Sequence, residues 1–237
     1  KANIKIAAFS SFISGIQKKN TAHTFCNNPM DFIYISNISS NLDNSGLFIE
    51  KVIEDLHNVE NIWEPAGKAT RNGFQSRPSV NLFDHPFPRM VKLRSIIRNE
   101  IDLYHSIFSS EQCDFIKNWP LKKKIHGWFV ILKRQGYQNE HIHPSGWLSG
   151  VIYLKVIPPH ESAEGAIEFS TNGRYYSHAS SPKLIHQPKL GDIVLFPSSL
   201  HHRTIPFSTQ TDRIIVSFDL VPQMSVEKNV INSHYRK

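Results

Sequence analysis

Apolar residues at Ile49, Val52, Ile53, Leu56 and Val59 step by three and four positions, while Glu50, Lys51, Glu54 and Asp55 fall on the opposite face. That spacing predicts an amphipathic helix over 47–59. The same period returns at Met90, Leu93, Ile96, Ile97, Ile101, Tyr104 and Ile107, behind Pro86 and Pro88, and predicts the longest helix of the chain over 89–108. Helix is also expected at 6–16 and around 110–118. Residues 32–38 alternate as a short strand does, and 63–82, rich in Gly, Pro, Asn and Arg, is expected to be loop with one strand near its end.

Beyond residue 124 the pattern changes. Segments 124–134, 147–156, 166–169, 192–196, 202–207 and 213–221 are short β-branched and aromatic runs, separated by Pro-Pro, Asn-Gly, Ser-Pro and Lys-Leu-Gly breaks. Many short strands with no helix between them predict a sandwich or barrel rather than alternating α/β units. The expected fold class is mainly β with N-terminal helices. The expected organisation is a helical extension over 1–30 and one domain over 31–237, with helical support at 47–118, a β core at 124–221 and a tail at 222–237.

Composition narrows the setting. The chain has 237 residues, enough for one sizeable core, and its 27 Lys+Arg against 20 Asp+Glu give a formal charge of +7. The only run of basic residues is Lys122–Lys124, and no basic stripe is interleaved with aromatics, so neither nucleic acid nor membrane is an expected partner. No apolar stretch approaches the ~18 residues of a membrane span. Cys26 and Cys113 cannot form a disulfide framework and match no zinc or redox spacing, which leads us to expect a cytoplasmic protein. Because it begins with Lys1 rather than Met, the chain is expected to be a piece or processed product of something longer.

Candidate chemistry gathers in two stretches. In NEHIHPSGWLSGVIYL, over 139–154, His141 and His143 are spaced to leave one face of an extended segment, and imidazole pairs of this kind open sites for Fe, Zn, Cu or Ni. In GDIVLFPSSLHHRTIPFSTQTDRIIVSF, over 191–218, His201 and His202 must point to opposite faces, so at most one enters a barrel. Arg213 then shares a face with Ile215 and Ser217 in an otherwise apolar strand. A buried guanidinium needs an anion, either an internal Asp or Glu or a bound carboxylate.

The HxHPxxxxSGxxYL and FPSxLxH patterns, with Arg213 opening RIIVSF, resemble the iron- and 2-oxoglutarate-dependent oxygenases, and the motifs span about 128–221. Gly73–Ser76 before Asn81–Phe83, followed by the long helix, is similar to the upstream region of one subgroup. The resemblance implies a double-stranded β-helix, or jelly-roll barrel, flanked by helices. It implies His141 and His202 as iron ligands, Arg213 as the clamp on the far carboxylate of 2-oxoglutarate with Tyr153 and Ser217 beside it, and the cofactors Fe(II), 2-oxoglutarate and O₂. The implied reaction is hydroxylation of a peptide, protein or small metabolite.

His143 stands where that superfamily carries a carboxylate. A three-histidine site, a two-histidine site completed by water, and a carboxylate arriving from elsewhere are all open; the offset favours His143 as third ligand. Trp128, Asn139 and Trp147 are candidates for the substrate mouth, and His160, Arg174, Tyr175, Tyr176, His178 and His186 for loop contacts. Two other functions are carried alongside: a cupin-like metalloprotein using three histidines, and a non-catalytic basic barrel that binds an acidic partner.

Overall fold

Each central strand of this chain carries two apolar faces, and the molecule buries both. The computed structural model describes residues 3–19, 23–26, 28–158 and 163–223. Helix α1 (Ile4–Gln17) starts at Asn3, whose Oδ1 accepts from the backbone N–H groups of Lys5 and Ile6 at 3.1 and 3.2 Å. Strand β1 (Tyr34–Asn37) follows, then α2 (Ser45–His57), capped by Asn44. Strands β2 (Asn61–Trp63) and β3 (Thr70–Ser76) precede α3 (Pro88–Ile107) and a single turn, α4 (Asp114–Lys117). The β core comprises β4 (Lys123–Gln138), β5 (Leu148–Lys155), β6 (Ile167–Ser170), β7 (Lys183–His186), β8 (Asp192–Pro197), β9 (His201–Thr204) and β10 (Arg213–Pro222).

Two sheets result. The larger runs β1-β8-β5-β10-β4-β3-β2 and the smaller β7-β6-β9, with antiparallel pairing throughout. Along β10, Ile214, Val216, Phe218 and Leu220 join Ile152, Ile193 and Leu195 in a core shared with Val52, Leu56, Leu93 and Ile97 of α2 and α3. Ile215 turns the other way, packing with Val151, Tyr153, Val194 and Phe196 against Ile167 and Phe169 of the smaller sheet. The period of two in the sequence is thus the division between helix-facing and barrel-facing sides.

Several expectations shift. The segment 63–82 holds the well-formed β3 in its middle, paired with β4, because a strand flanked by a long neighbour does not need an apolar run of its own. The helix expected at 110–118 shrinks to α4, since Cys113 is still extended and serves as its N-cap. Strand β7 went unforeseen; its Lys183, Leu184 and Ile185 are exposed at a sheet edge, where alternation carries no signal. The tail lies almost wholly outside the described residues, as does His160. Cys26 and Cys113 are free thiols brought together by backbone bonds from Asp114 to Thr24 and from Phe115 to Phe25; hydrogen-bonding to Cys26 lowers Cys113 to about 6. Among the described residues no helix is long and apolar enough to cross a membrane.

Candidate metal centre

The two histidine stretches meet through their backbones. His141 and His202 exchange both N–H···O bonds at 3.1 Å, an isolated bridge between the segment after β4 and the start of β9. His143 is held by its own N–H on the Ser198 carbonyl at 3.0 Å. The expectation of two histidines on one strand face is therefore corrected. Pro144 has no N–H with which to continue a ladder, and the chain turns at once, Gly146 N–H closing back on His143 O at 3.0 Å.

That path still brings the three rings together. Candidate ligand atoms of His141, His143 and His202 all lie within 4.8 Å of one another, the one such group among the described residues. Each ring is oriented from behind: Nδ1 of His141 donates to Asn139 O at 2.7 Å, that of His202 to Leu200 O at 3.2 Å, and that of His143 to the Asp219 carboxylate at 2.6 Å. A neutral ring that carries its proton on Nδ1 presents a lone pair at Nε2. Nε2 of His141 and Nε2 of His143 stand 3.3 Å apart, close enough to share either a proton or a metal ion. Burial, reinforced by the neighbouring imidazoles, pushes His141 down to about 3 and His202 well below its usual range, which keeps both rings in the ligating form. The donor set fits a divalent transition metal.

Arg213 lies at the other end of the same barrel face. It is 1% exposed, its Nε donates to Gly165 O at 3.0 Å, and its Nη1 has no hydrogen-bond partner. No described carboxylate pairs with it; its neighbour is the Tyr153 ring, with the guanidinium carbon 5.0 Å from the centroid. The Tyr153 hydroxyl is also buried without a partner, and desolvation raises it to about 12 although the guanidinium pulls the other way. The phenol feels that charge but lacks hydrogen-bond geometry to it. A fully buried cation and two orphaned polar atoms are the complement of a small carboxylate. Ser217 is buried on the same face of β10, between Ile215 and Asp219.

The remaining candidates divide. Trp128 stands beside His143, ring centroids 5.4 Å apart, and lines a cavity of about 700 Å³ whose wall includes His141, His143, His126, Lys68 and Lys124. Asn139 contributes its backbone carbonyl to His141 and borders a separate surface hollow. Trp147 does not reach the site: its indole Nε1 donates to Phe115 O at 2.9 Å and its ring packs on Phe25 at 4.9 Å, so the substrate-mouth expectation is corrected to a core anchor. His201 faces away from His202 and meets the Tyr176 hydroxyl at 2.7 Å. Asp219 and Ser149 were not singled out in the sequence, although Asp219 has the same parity on β10 as Arg213, Ile215 and Ser217.

A family model described as "Putative 2OG-Fe(II) oxygenase" matches residues 126–219, from β4 to the Asp219 end of β10. A Pseudomonas putida prolyl-4-hydroxylase superposes with a TM-score of 0.53 at 10% identity, over 92% of this chain and 100% of that one. A Trichoplax adhaerens prolyl hydroxylase, solved with a hypoxia inducible factor peptide fragment, gives 0.57 at 12% identity over 92% and 91%. The fold is the double-stranded β-helix of the 2OG-Fe(II) oxygenases. The same β-helix is found in the epimerase SnoN, solved with Fe3+, alpha ketoglutarate and nogalamycin RO, with a TM-score of 0.57 at 13% identity over 80% of this chain and 78% of that one. No curated protein sequence matches the chain.

Proposed function

We propose that the chain is an Fe(II)- and 2-oxoglutarate-dependent dioxygenase that hydroxylates a C–H bond of a peptide, a protein or a small metabolite, with release of succinate and CO₂. One conjunction carries this reading: three imidazoles converge at one end of a barrel face whose other end holds a buried guanidinium with no acid partner among the described residues. His141, His143 and His202 would hold the iron, and Arg213, with Tyr153 and Ser217, would receive the far carboxylate of 2-oxoglutarate. Together with O₂, these cofactors supply the oxidising power for an unactivated C–H bond. The protein's own part is to keep His141 and His202 neutral, to aim all three rings, and to wall the site with Phe169, Phe196 and Trp128 against water.

Support for a peptide or protein substrate comes from the wide cavity over His141 and His143, and from the relative solved with a peptide bound. A cupin-like three-histidine metalloprotein would account for the imidazoles but leaves Arg213 unexplained. A basic binding module accounts for neither.

The deciding experiment is anaerobic addition of Fe(II) and then 2-oxoglutarate. The expected result is a weak visible charge-transfer band, followed on admission of O₂ by succinate release without added substrate. His202→Ala should abolish metal binding. A chain that binds neither metal nor 2-oxoglutarate would sink the proposal.

A further inference from the structure

The three-histidine cluster has no carboxylate in contact with the metal position, yet a carboxylate stands directly behind one of its rings. Asp219 is buried at the end of β10 and its Oδ1 accepts from His143 Nδ1 at 2.6 Å and from Ser149 Oγ at 2.7 Å. Ser149 Oγ in turn lies 2.8 Å from Ser198 Oγ. On the Gly146 side the housing is tight, since a methyl group there would come within 2.4 Å of Ser198 Oγ and 3.1 Å of the Asp219 carboxyl carbon, while the other side of Asp219 borders the cavity over His141 and His143. No Lys or Arg pairs with Asp219 among the described residues, and its one ion-pair partner is His143. A buried carboxylate is costly unless a cation compensates it. The ring it grips offers a place for one, at the Nε2 that faces His141.

Resting on the iron-site reading above, we propose that Asp219 is a positioning residue that supplies the site's negative charge through His143. An ordinary facial site with two histidines and one carboxylate binds that charge to the metal directly. Here it sits one imidazole further back, where it fixes the ring's tautomer and strengthens Nε2 as a donor. The site keeps the anionic character of the common arrangement while presenting three nitrogens to the metal.

The test is calorimetric titration of the metal-free full chain with Co(II), an air-stable divalent probe. Asp219→Asn keeps the shape and the acceptor for His143 but removes the charge. It should weaken Co(II) binding by about 10- to 100-fold. The denaturation midpoint of the metal-free protein should stay level or rise, a split that a purely structural role would not produce. Ser149→Ala, which leaves the charge in place, should change affinity by less than about threefold. His143→Asp combined with Asp219→Asn moves the carboxylate to the metal and should recover at least tenfold over Asp219→Asn alone.

Wild-type protein that fails to bind Co(II) overturns both this inference and the function proposed above. Tight wild-type binding that Asp219→Asn leaves within twofold overturns this inference alone. So does a double variant no better than the single one.

Discussion

Arg213 opposes folding at its own position. Its guanidinium has been stripped of water, one nitrogen has no partner, and it has only a carbonyl and an aromatic face for company. Replacing such a group with an apolar side chain is often neutral or stabilising. We therefore expect Arg213→Leu to hold or raise the urea midpoint while eliminating 2-oxoglutarate binding and leaving Co(II) affinity within a few-fold of wild type. Calorimetry with each ligand separates the two effects, and a large fall in midpoint would show that Arg213 is structural. This residue was legible in the sequence because a lone cation in RIIVSF breaks an apolar run. His141 and His202 were legible from spacing. Asp219 obeyed the same parity and could have been read the same way, but it lies just past the apolar run, where an acid passes as a strand end. The carbonyls of Asn139 and Leu200 that aim two of the rings were invisible, since every residue has one.

Among the elements, legibility followed burial. Strands β5, β8 and β10 are buried on both faces and read as near-continuous apolar runs, and α2 and α3 declare themselves by their spacing. Strand β3 is polar, β7 is exposed, and neither leaves a periodic trace. Trp147 was misread for a related reason: an aromatic beside a metal motif looks like a substrate contact until the strand's direction is known. Trp147 immediately precedes Leu148, the first residue of β5, and its indole reaches the Phe25–Phe115 cluster between α4 and the N-terminal segment. Trp147→Ala should then cost about 3–5 kcal/mol in a denaturant titration, as large-to-small core changes do. Trp147→Phe should cost roughly 1–3 kcal/mol, from the Phe115 carbonyl left without its donor. If both variants unfold at the wild-type midpoint, the ring is not the anchor described.

At the scale of the whole molecule, the histidines make stability depend on pH, and the sign follows from the direction of their shifts. Burial lowers His141 to about 3, His201 to about 4 and His202 well below its usual range, whereas the unfolded chain takes up these protons near 6.5. Below that pH the unfolded state binds more protons than the folded one, so unfolding becomes easier as the solution is acidified. Loss should begin near pH 6.5 and continue through about 4 and about 3, where His201 and His141 finally protonate in the folded protein. Glu168, held low by Arg203, adds its loss below the ordinary carboxylate range, while Glu140, raised by burial, works weakly in the opposite direction. A divalent ion binds the neutral rings of the folded state alone, so Co(II) at about 1,000 times its Kd should add about 4 kcal/mol at pH 7. That increment should itself shrink on acidification, because protons and metal compete for the same lone pairs. Melting curves at pH 7.5, 6.5, 5.5 and 4.5, each with and without Co(II), should show two falling lines that converge toward acid. A metal-free midpoint flat between pH 7.5 and 4.5 would mean that the three buried imidazoles are not neutral in the folded chain.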